Sequence, residues 1–341
     1  MATLKANTVS GIGTEGPVLN GGLHFSSQNY MTLPKGDSVQ GGRGRGMIMG
    51  GFHPAVQTIE YISIQSQGNS IAFGDMSTPT QGWGSALASS TRACIGGGGY
   101  PSKINTIEFV TIAITSNTTN FGDLSAARSN TGTCSSQVRG LFAGGHDGSN
   151  FYNTIEYITI ASTGDTTNFG DLTTPVTGVR GLGSPTRGVF AGGTAPGPAT
   201  TNIIGFVTIA STGDAADFGD LTVARSSLSG TSNNTRGIIA GGYVAPAVSN
   251  VIDFITIAST GDATDFGDLY QNVYNVGSMA SETRALFVGA YQLSPYSQGY
   301  KNIIQFCTIQ TTGNALDFGD MLALRGQYDG STSDCHGGLT E

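Results

Sequence analysis

The stretch TIEYITIASTGDTTNFGDL, residues 154–172, carries the pattern that decides the fold. A run of β-branched and aromatic residues is followed by a Thr-Gly-Asp turn and then by the tetrapeptide Phe-Gly-Asp-Leu. Such side chains favour strands, and Gly beside Asp supplies the positive φ of a tight hairpin. The stretch therefore predicts two strands joined by a tight turn.

The same pattern recurs six times. The tetrapeptide Phe-Gly-Asp-Leu/Met begins, 48 to 52 residues apart, at Phe73, Phe121, Phe169, Phe218, Phe266 and Phe318. In the same phase, an arginine precedes three or four mainly apolar residues and a glycine pair, at Arg45, Arg92, Arg139, Arg187, Arg236 and Arg284. We place the pairs at Gly50-Gly51, Gly96-Gly97, Gly144-Gly145, Gly192-Gly193 and Gly241-Gly242, with Gly289-Ala290 as the departure. Two marks repeated in phase indicate a repeat protein.

Each unit has the pattern of four strands, and the third is apolar on both faces. In the first copy Ile59 and Tyr61 fall on one face, while Ile62 and Ile64 fall on the other. A strand of this kind must be covered on both sides, as in a blade between two neighbouring blades. The sequence therefore predicts an all-β, six-bladed β-propeller with four antiparallel strands per blade.

The two ends of the repeat predict how the ring closes. The first recognisable element, Arg45 to Gly51, is the second strand of a blade with no first strand before it. After the sixth corner, residues 322–334 (LALRGQYDGSTSD) supply one more first strand. Pairing of the C-terminus with the first blade would leave no open sheet edge. Residues 43–341 are thus predicted to form the propeller and residues 1–42 an N-terminal arm, packed on its outside or used as an anchor.

Composition limits the partners. Only 11% of the 341 residues are charged, the net charge is −8 and the pI is about 4.9. These values argue against nucleic acid or an anionic membrane as partner. No apolar run approaches the roughly 18 residues of a membrane span, and no apolar segment of a secretory signal follows Met1 to Lys5.

Residues that would support catalysis are scattered. The four histidines and four cysteines show no metal-ligand spacing, and they fall at different positions of different units: His24, His53, His146, His336, Cys94, Cys134, Cys307 and Cys335. The chain has no P-loop and no HExxH motif. We therefore expect a protein that is not an enzyme and uses neither cofactor nor metal.

Acidic residues in the later units allow one metal hypothesis. Asp or Asn recurs at every third position, as Asp165, Asn168 and Asp171, as Asp214, Asp217 and Asp220, and as Asp262, Asp265 and Asp268. Oxygen ligands at that density could hold calcium. Alternatively, they serve turn geometry and bond to backbone N–H groups, which is the interpretation we favour.

The six strand-opening arginines also allow two interpretations. They could line the central channel and bind an anion, or they could form ion pairs with the six corner aspartates, Asp75, Asp123, Asp171, Asp220, Asp268 and Asp320. Equal numbers favour a structural ring of ion pairs. A ligand site would not need all six blades alike.

Functional residues are expected where the units diverge, in the connection after the glycine pair. The longest such connection, residues 291–301, carries Tyr291, Gln292, Tyr296 and Tyr300. Tyrosines with amides and hydroxyls suit a carbohydrate or protein surface. The alternative is that they only cover the sixth blade.

The repeat resembles the kelch family. The likeness rests on an arginine assigned to the first strand (Arg128, Arg225, Arg325), an apolar-Gly-Gly end of the second and an Ile-x-Tyr/Phe third strand. It covers about residues 43–335, with Phe in place of the expected Trp late in the blade. The resemblance implies a kelch-like propeller.

Two segments also resemble structural proteins of tailed phages, especially those of marine cyanobacteria. They are the repeat at 252–269 and the segment EGPVLNGGLHFSSQNY at 15–30. This resemblance implies a virion protein on the tail or capsid surface, a tail fibre, other appendage or capsid decoration. Its implied partners are other virion proteins through residues 1–42 and a host-surface glycan or protein. The alternative is a carbohydrate-binding or scaffold kelch protein of a cell.

Overall fold

The computed structural model describes residues 44–52, 56–77, 83–99, 102–197, 199–293, 298–326 and 330–339. The predicted arm, residues 1–42, lies outside these ranges. Six four-stranded antiparallel sheets follow one another, and their innermost strands contact each other in a closed cycle. The predicted six-bladed all-β propeller is confirmed. Within the described ranges, no helix is long and apolar enough to cross a membrane.

Each blade has four strands, which we give in order from the central channel outward. The innermost strands of blades 1 to 6 are β28 (Ser331–Ser333), β4 (Ser85–Ala88), β8 (Gly132–Ser135), β12 (Arg180–Gly183), β18 (Ser229–Ser232) and β24 (Gly277–Ala280). The second strands are β1 (Arg45–Met49), β5 (Arg92–Gly96), β9 (Arg139–Ala143), β13 (Arg187–Ala191), β19 (Arg236–Ala240) and β25 (Arg284–Gln292). The third strands are β2 (Thr58–Ser63), β6 (Thr106–Thr111), β10 (Thr154–Thr159), β16 (Ile203–Thr208), β22 (Val251–Thr256) and β26 (Gly299–Thr308). The outermost strands are β3 (Ile71–Asp75), β7 (Thr119–Asp123), β11 (Thr167–Asp171), β17 (Ala216–Asp220), β23 (Thr264–Asp268) and β27 (Leu316–Asp320).

Three short elements complete the described structure. Two are hairpins between the second and third strands, β14 (Thr194–Ala195) with β15 (Ala199–Thr200) and β20 (Tyr243–Val244) with β21 (Ala247–Val248). The third is a single turn of 3₁₀ helix at Gly337–Leu339.

The C-terminus closes the ring as predicted. Strand β28 pairs antiparallel with β1, Ser333 opposite Gly46 and Ser331 opposite Ile48. The Asp334 carboxylate also accepts a hydrogen bond from the Arg45 amide at 2.8 Å. The strand itself covers only the end of the predicted segment 322–334, because the residues before it form the connection from the sixth blade.

The hydrophobic core lies between blades. Ile59 and Phe73 of the first blade pack against Ile95 of the second blade, whereas Ile62 and Ile64 pack against the sixth blade. The predicted division of the third strand into two buried faces is therefore confirmed. Full burial of one such side chain contributes about 1.5–3 kcal/mol, so each blade depends on both neighbours.

The Phe-Gly-Asp corner is a contact between blades. In the second blade Phe121 is 3% exposed, and the Asp123 amide donates to the Asp165 carboxylate of the third blade at 3.0 Å. A Cβ on Gly122 would overlap the carbonyl oxygen of Gly164. The connection after the third strand is thus wider than the predicted tight hairpin: it crosses to the preceding blade, where the Gly164 amide donates to Phe121 at 2.8 Å.

The glycine pairs occupy the same place in each blade, with one correction. Gly144 and Gly145 have φ of 65° and 94°, and the matching residues of the second blade are Gly97 and Gly98, at 67° and 93°. The pair therefore lies one residue later than the predicted Gly96-Gly97. A Cβ on Gly144 would lie 2.7 Å from the Val176 carbonyl oxygen, so the incoming connection requires glycine here.

The strand-opening arginines have partners other than the predicted corner aspartates. The Arg139 guanidinium stacks 4.6 Å from the Tyr157 ring centroid and donates to the Ile209 carbonyl of the next blade at 3.0 Å. The other five arginines donate the same hydrogen bond to a carbonyl of the next blade: Arg45 to Ile112, Arg92 to Ile160, Arg187 to Ile257, Arg236 to Ile309 and Arg284 to Ile64. The acceptors are carbonyls just past the third strand, where no strand partner satisfies them.

The corner aspartates contribute their backbones instead. Their amides donate to the turn residue of the next blade, and the acceptors in blades 2 to 6 and 1 are Asn117, Asp165, Asp214, Asp262, Asn314 and Asn69. Five of the six corner residues are exposed and Asp268 is half-buried. The corner aspartate therefore lies at the surface rather than in an ion pair with a strand-opening arginine.

Buried ion pairs occur elsewhere, in alternate blades. Arg128 contacts Glu156 at 2.9 Å in the third blade and Arg225 contacts Asp253 at 2.8 Å in the fifth; Arg325 pairs with Glu60 in the first. All six side chains are at most 2% exposed. The kelch resemblance assigned these arginines to the first strand, but they lie in the connection before it.

Candidate functional site

The connections that differ between blades lie at one end of the propeller, which we call the upper face. Here the second strand of a blade leads to the third, and the fourth leads to the next blade. Single β-bridges tie the two kinds of connection together: Phe52 to Gly326, Ser129 to His146, Thr177 to Thr194, Ser226 to Tyr243 and Tyr274 to Tyr291. At these bridges the described backbone of the upper face is therefore held in place while the side chains vary.

The sixth blade has the most extended connection. Beyond a bulge after Val288, strands β25 and β26 continue to pair, with Tyr291 opposite Tyr300 and Gln292 opposite Gly299. The corresponding connections of blades 4 and 5 hold only the two-residue hairpins. Of the predicted binding residues, Tyr291, Gln292 and Tyr300 thus lie on paired strands rather than on an irregular loop.

Four tyrosines form a row across the fifth and sixth blades. Ring centroids lie 5.9 Å apart for Tyr243 and Tyr274, 5.6 Å for Tyr274 and Tyr291, and 4.7 Å for Tyr291 and Tyr300. All four side chains are half-buried. We call Tyr243, Tyr274, Tyr291 and Tyr300 the tyrosine row.

The row includes only part of the predicted set. Tyr291 and Tyr300 are brought into contact, whereas Gln292 is 5% exposed and so faces away from solvent. Tyr296 lies outside the described residues. Tyr243 was missed, although it follows Gly241-Gly242 as Tyr291 follows Gly289-Ala290. Tyr274 had no comparable signal, because the turn that brings it to Tyr291 is not apparent from spacing.

The phenols of Tyr274 and Tyr300 are uncharged at neutral pH. Burial, with the neighbouring tyrosines, raises the pKa of Tyr274 to about 12 and also raises the pKa of Tyr300. The Gln298 side-chain amide donates to the Tyr291 hydroxyl at 3.2 Å. A neutral phenol both donates and accepts hydrogen bonds. The row therefore combines apolar ring area with uncharged polar edges.

Asn275 adds a buried acceptor next to the row. It follows Tyr274, its φ is 56° and it is 2% exposed. Its side-chain oxygen has no hydrogen-bond partner within the described ranges. Leaving a buried acceptor unpaired costs about 1–3 kcal/mol, so this oxygen is a local cost to the stability of the fold next to the row.

A second aromatic group lies at the junction of the first and second blades. The rings of Phe52 and Trp83 are 5.0 Å apart, and the Lys103 ammonium lies 4.1 Å from the Trp83 ring centroid. Burial lowers the pKa of Lys103. The sole tryptophan is thus a platform for a cation, in contrast with the uncharged tyrosine row.

The lower mouth of the channel is closed by the residues that follow β28. A Cβ on Gly337 would overlap the Asn233 carbonyl oxygen, and one on Gly338 would overlap that of Ser135, so only glycine fits. The cavity that remains beside His336 measures about 50 Å³, room for a few water molecules. The channel is therefore too narrow at this end to bind a sugar or peptide.

The described histidines have structural contacts. The Nε2 atom of His336 lies 3.0 Å from the Ala88 carbonyl oxygen and 3.2 Å from the Ser135 hydroxyl, and burial lowers its pKa to about 4. His146 lies 3.3 Å from the hydroxyl of Ser129, a residue that is 1% exposed. His24 and His53 lie outside the described residues.

The acidic turns have a structural role. Asp165, Asp214 and Asp262 each accept a hydrogen bond from a corner amide of the preceding blade at 3.0 Å. Within the described ranges, no three His, Cys, Asp or Glu side chains are grouped to hold a metal ion. The geometry thus supports the turn interpretation over the calcium hypothesis.

Comparison with known proteins gives no family: no protein-family model matches this chain, and no curated protein matches it. The class of the protein accordingly rests on its architecture. It is a six-bladed β-propeller of four-stranded antiparallel sheets, closed by its C-terminal strand.

Proposed function

We propose that this protein is a structural component of a phage virion, a tail fibre, other appendage or capsid decoration, that presents its upper face to the host. The observation that carries the binding role is the tyrosine row. The virion assignment, with its location on the tail or capsid surface, is supported by the resemblance of residues 252–269 and 15–30 to phage structural proteins. A kelch-type repeat would supply the scaffold.

The row suits a carbohydrate better than an ion. Aromatic rings offer flat apolar area for the faces of sugar rings, and their hydroxyls bond to sugar hydroxyls at the edges. Tyr274 is uncharged at neutral pH, and a neutral phenol both donates and accepts hydrogen bonds. We therefore infer a host-surface glycan as the ligand, with a host protein as the alternative.

Binding without catalysis is the activity that the arrangement supports. Glu60, Glu156 and Asp253 are buried in ion pairs, and both described histidines bond to buried serines or carbonyls. A catalytic acid or base must reach its substrate, and these three acids are enclosed. We propose a binding protein that uses no cofactor and attaches to other virion proteins through residues 1–42.

Two measurements test the virion assignment. Mass spectrometry of purified particles should detect the protein. Full-length protein added to particles that lack it should be incorporated, whereas protein without residues 1–42 should not. Incorporation of both forms to the same extent would contradict the proposed anchor.

Substitution of the row tests the binding role. Replacing Tyr291 and Tyr300 by Ser should reduce adsorption to host cells and leave incorporation unchanged, because the row is partly exposed. Tyr270→Ser is the matched control, since Tyr270 is 75% exposed and makes no contact with the row. Unchanged adsorption of the double variant would show that the row only packs.

A carbohydrate-binding or scaffold protein of a cell is the second candidate, and the same tyrosine row favours it. The two candidates differ in where the protein is found. Glycan binding that depends on Tyr291, by a protein absent from particles, would favour the cellular candidate.

A further inference from the structure

On the outer surface, the residue types at repeated positions change where the ring closes, between blades 6 and 1. The first residue of the outermost strand is small or polar in blades 2 to 5: Thr119, Thr167, Ala216 and Thr264. In blades 1 and 6 it is Ile71 and Leu316, which are 55% and 61% exposed. The equivalent positions show that the fold itself does not require a large apolar residue there.

The residues after the sixth corner depart in the same way. The residue that follows the Phe-Gly-Asp-Leu/Met corner is Ser77, Ser125, Thr173 or Thr222 after the first four corners, and Tyr270, 75% exposed, after the fifth. After the sixth it is Leu322, 57% exposed, and Leu324 lies two residues further on, 59% exposed. The position of Leu324 holds Ala127 and Ala224 in other blades.

These four residues lie along one junction, between blades 6 and 1. The Leu322 amide donates to the Ser70 hydroxyl at 3.1 Å, and Ser70 is the neighbour of Ile71 in the chain. The Gln67 side chain donates to the carbonyl of Asp317, the neighbour of Leu316, at 3.2 Å. We call Ile71, Leu316, Leu322 and Leu324 the seam patch.

The seam patch has no role in stabilising the fold, because its side chains are exposed. Single exposed apolar residues are normal on protein surfaces. Four at one junction, of which Ile71 and Leu316 lie where blades 2 to 5 have only Thr or Ala, mark an interaction surface. Burying each side chain against a partner would be favourable.

The charges beside the patch indicate the chemistry of its partner. Asp317 and Asp320 are exposed beside Leu316 and Leu322, whereas Arg325 is 1% exposed and paired with Glu60. A second copy meeting the patch face to face would bring like charges together. We propose that the seam patch docks a different protein, through an apolar surface bordered by Lys or Arg.

The test compares the protein with a variant that restores the repeat. Ile71→Thr, Leu316→Thr, Leu322→Ser and Leu324→Ala give the seam the residue types found at the junction between blades 2 and 3. The probe is a short fluorescent peptide of alternating Leu and Lys, with Leu/Glu and Ser/Lys peptides to separate apolar from charge effects. Wild type should bind the Leu/Lys peptide at least about tenfold more tightly than the variant does, a difference of about 1.4 kcal/mol.

Two controls complete the design. Ile114→Thr with Val138→Thr removes exposed apolar residues of similar exposure, 65% and 59%, from elsewhere on the surface, and should leave peptide binding unchanged. The melting temperature of the seam variant should equal that of wild type.

Four results would overturn the proposal. They are equal peptide binding by wild type and seam variant, tighter binding of the Leu/Glu peptide, and a wild-type dimer that the variant loses, which would show that a second copy occupies the patch. The fourth is a lower melting temperature of the variant, which would show that the chain covers the patch itself.

Discussion

The contacts between blades and the connections on the upper face follow opposite rules. Between blades, an arginine over an aromatic ring bonds to the next blade in the same way six times. On the upper face, the residue after the glycine pair is Phe52, His146, Thr194, Tyr243 or Tyr291 in five of the blades. The repeated contacts fix the backbone, and the side chains of the upper face are free to differ without altering the core.

The buried ion pairs follow neither rule, because they recur without being common to all blades. They therefore make the comparison testable. Blades 1, 3 and 5 contain a buried arginine paired with an acid. In the sixth blade the same two positions hold Val273 and Gln305. The fold therefore accepts either a complete ion pair or an uncharged pair.

Removal of the closing strand should have the largest effect. A 1–321 fragment lacks β28, so the first blade loses its inner strand and β1 becomes an open edge. We expect the fragment to lose the cooperative thermal transition measured by circular dichroism. A fragment ending at Leu339 is the control and should melt as the full chain does. A cooperative transition of unchanged midpoint in the shorter fragment would mean that the ring closes in another way.

Breaking one buried ion pair should have the next largest effect. Arg128→Val leaves Glu156 buried without its charge partner, which should lower the free energy of unfolding by about 3–5 kcal/mol. Arg128→Val with Glu156→Gln copies the sixth blade and should recover most of that loss. Denaturant unfolding of both variants measures the difference. A double variant as unstable as the single one would show that the two arrangements are not interchangeable.

His336, which lies among the residues that close the lower mouth of the channel, should make the stability of the protein depend on pH. His336 has a folded-state pKa of about 4 and an ordinary value of 6.5, so between these values the unfolded chain binds a proton that the folded protein does not. The free energy of unfolding should therefore fall as the pH drops from about 6.5 to about 4. Because solvent reaches part of the ring, we expect a loss of about 2 kcal/mol.

His336→Gln provides the comparison for this pH dependence. The variant should lose less stability than wild type across the same interval. Parallel pH profiles for the two proteins would show that another group accounts for the change.

A single strand-opening arginine should matter least. Arg139→Ala removes one stacking contact and one hydrogen bond to a carbonyl, which should lower the free energy of unfolding by about 1–2 kcal/mol. Arg236→Ala should cost nearly the same, because its contacts repeat in another blade. Costs that differ severalfold would contradict the view that the interblade contacts are equivalent.

Sequence reasoning succeeded where the repeat supplied its own comparison. The blade number, the closure and the two buried faces around Ile59 and Ile62 all follow from periodicity. The partners of Arg139 could not be predicted in this way, because its acceptor is a backbone carbonyl and carbonyls leave no mark in a sequence. The equal numbers of arginines and corner aspartates suggested ion pairs, but both recur for separate reasons.

The candidate site was predicted only in part for the same reason. Tyr291 and Tyr300 are close in sequence and flank one turn, so their contact could be expected. Tyr274 joins the row only because the connection from the fifth blade crosses to the second strand of the sixth. The role of Glu156 was also missed, because an acid within an apolar strand gives no indication of its partner.

The diverging upper face is the proposed binding surface. Hydrogen exchange measured with and without envelope fragments of host cells tests it most directly. We expect slower exchange confined to the segments around Tyr243, Tyr274 and Tyr291–Tyr300, with the third strands unchanged. Slower exchange confined to the outer strands or the lower mouth, with none at the tyrosine row, would contradict it.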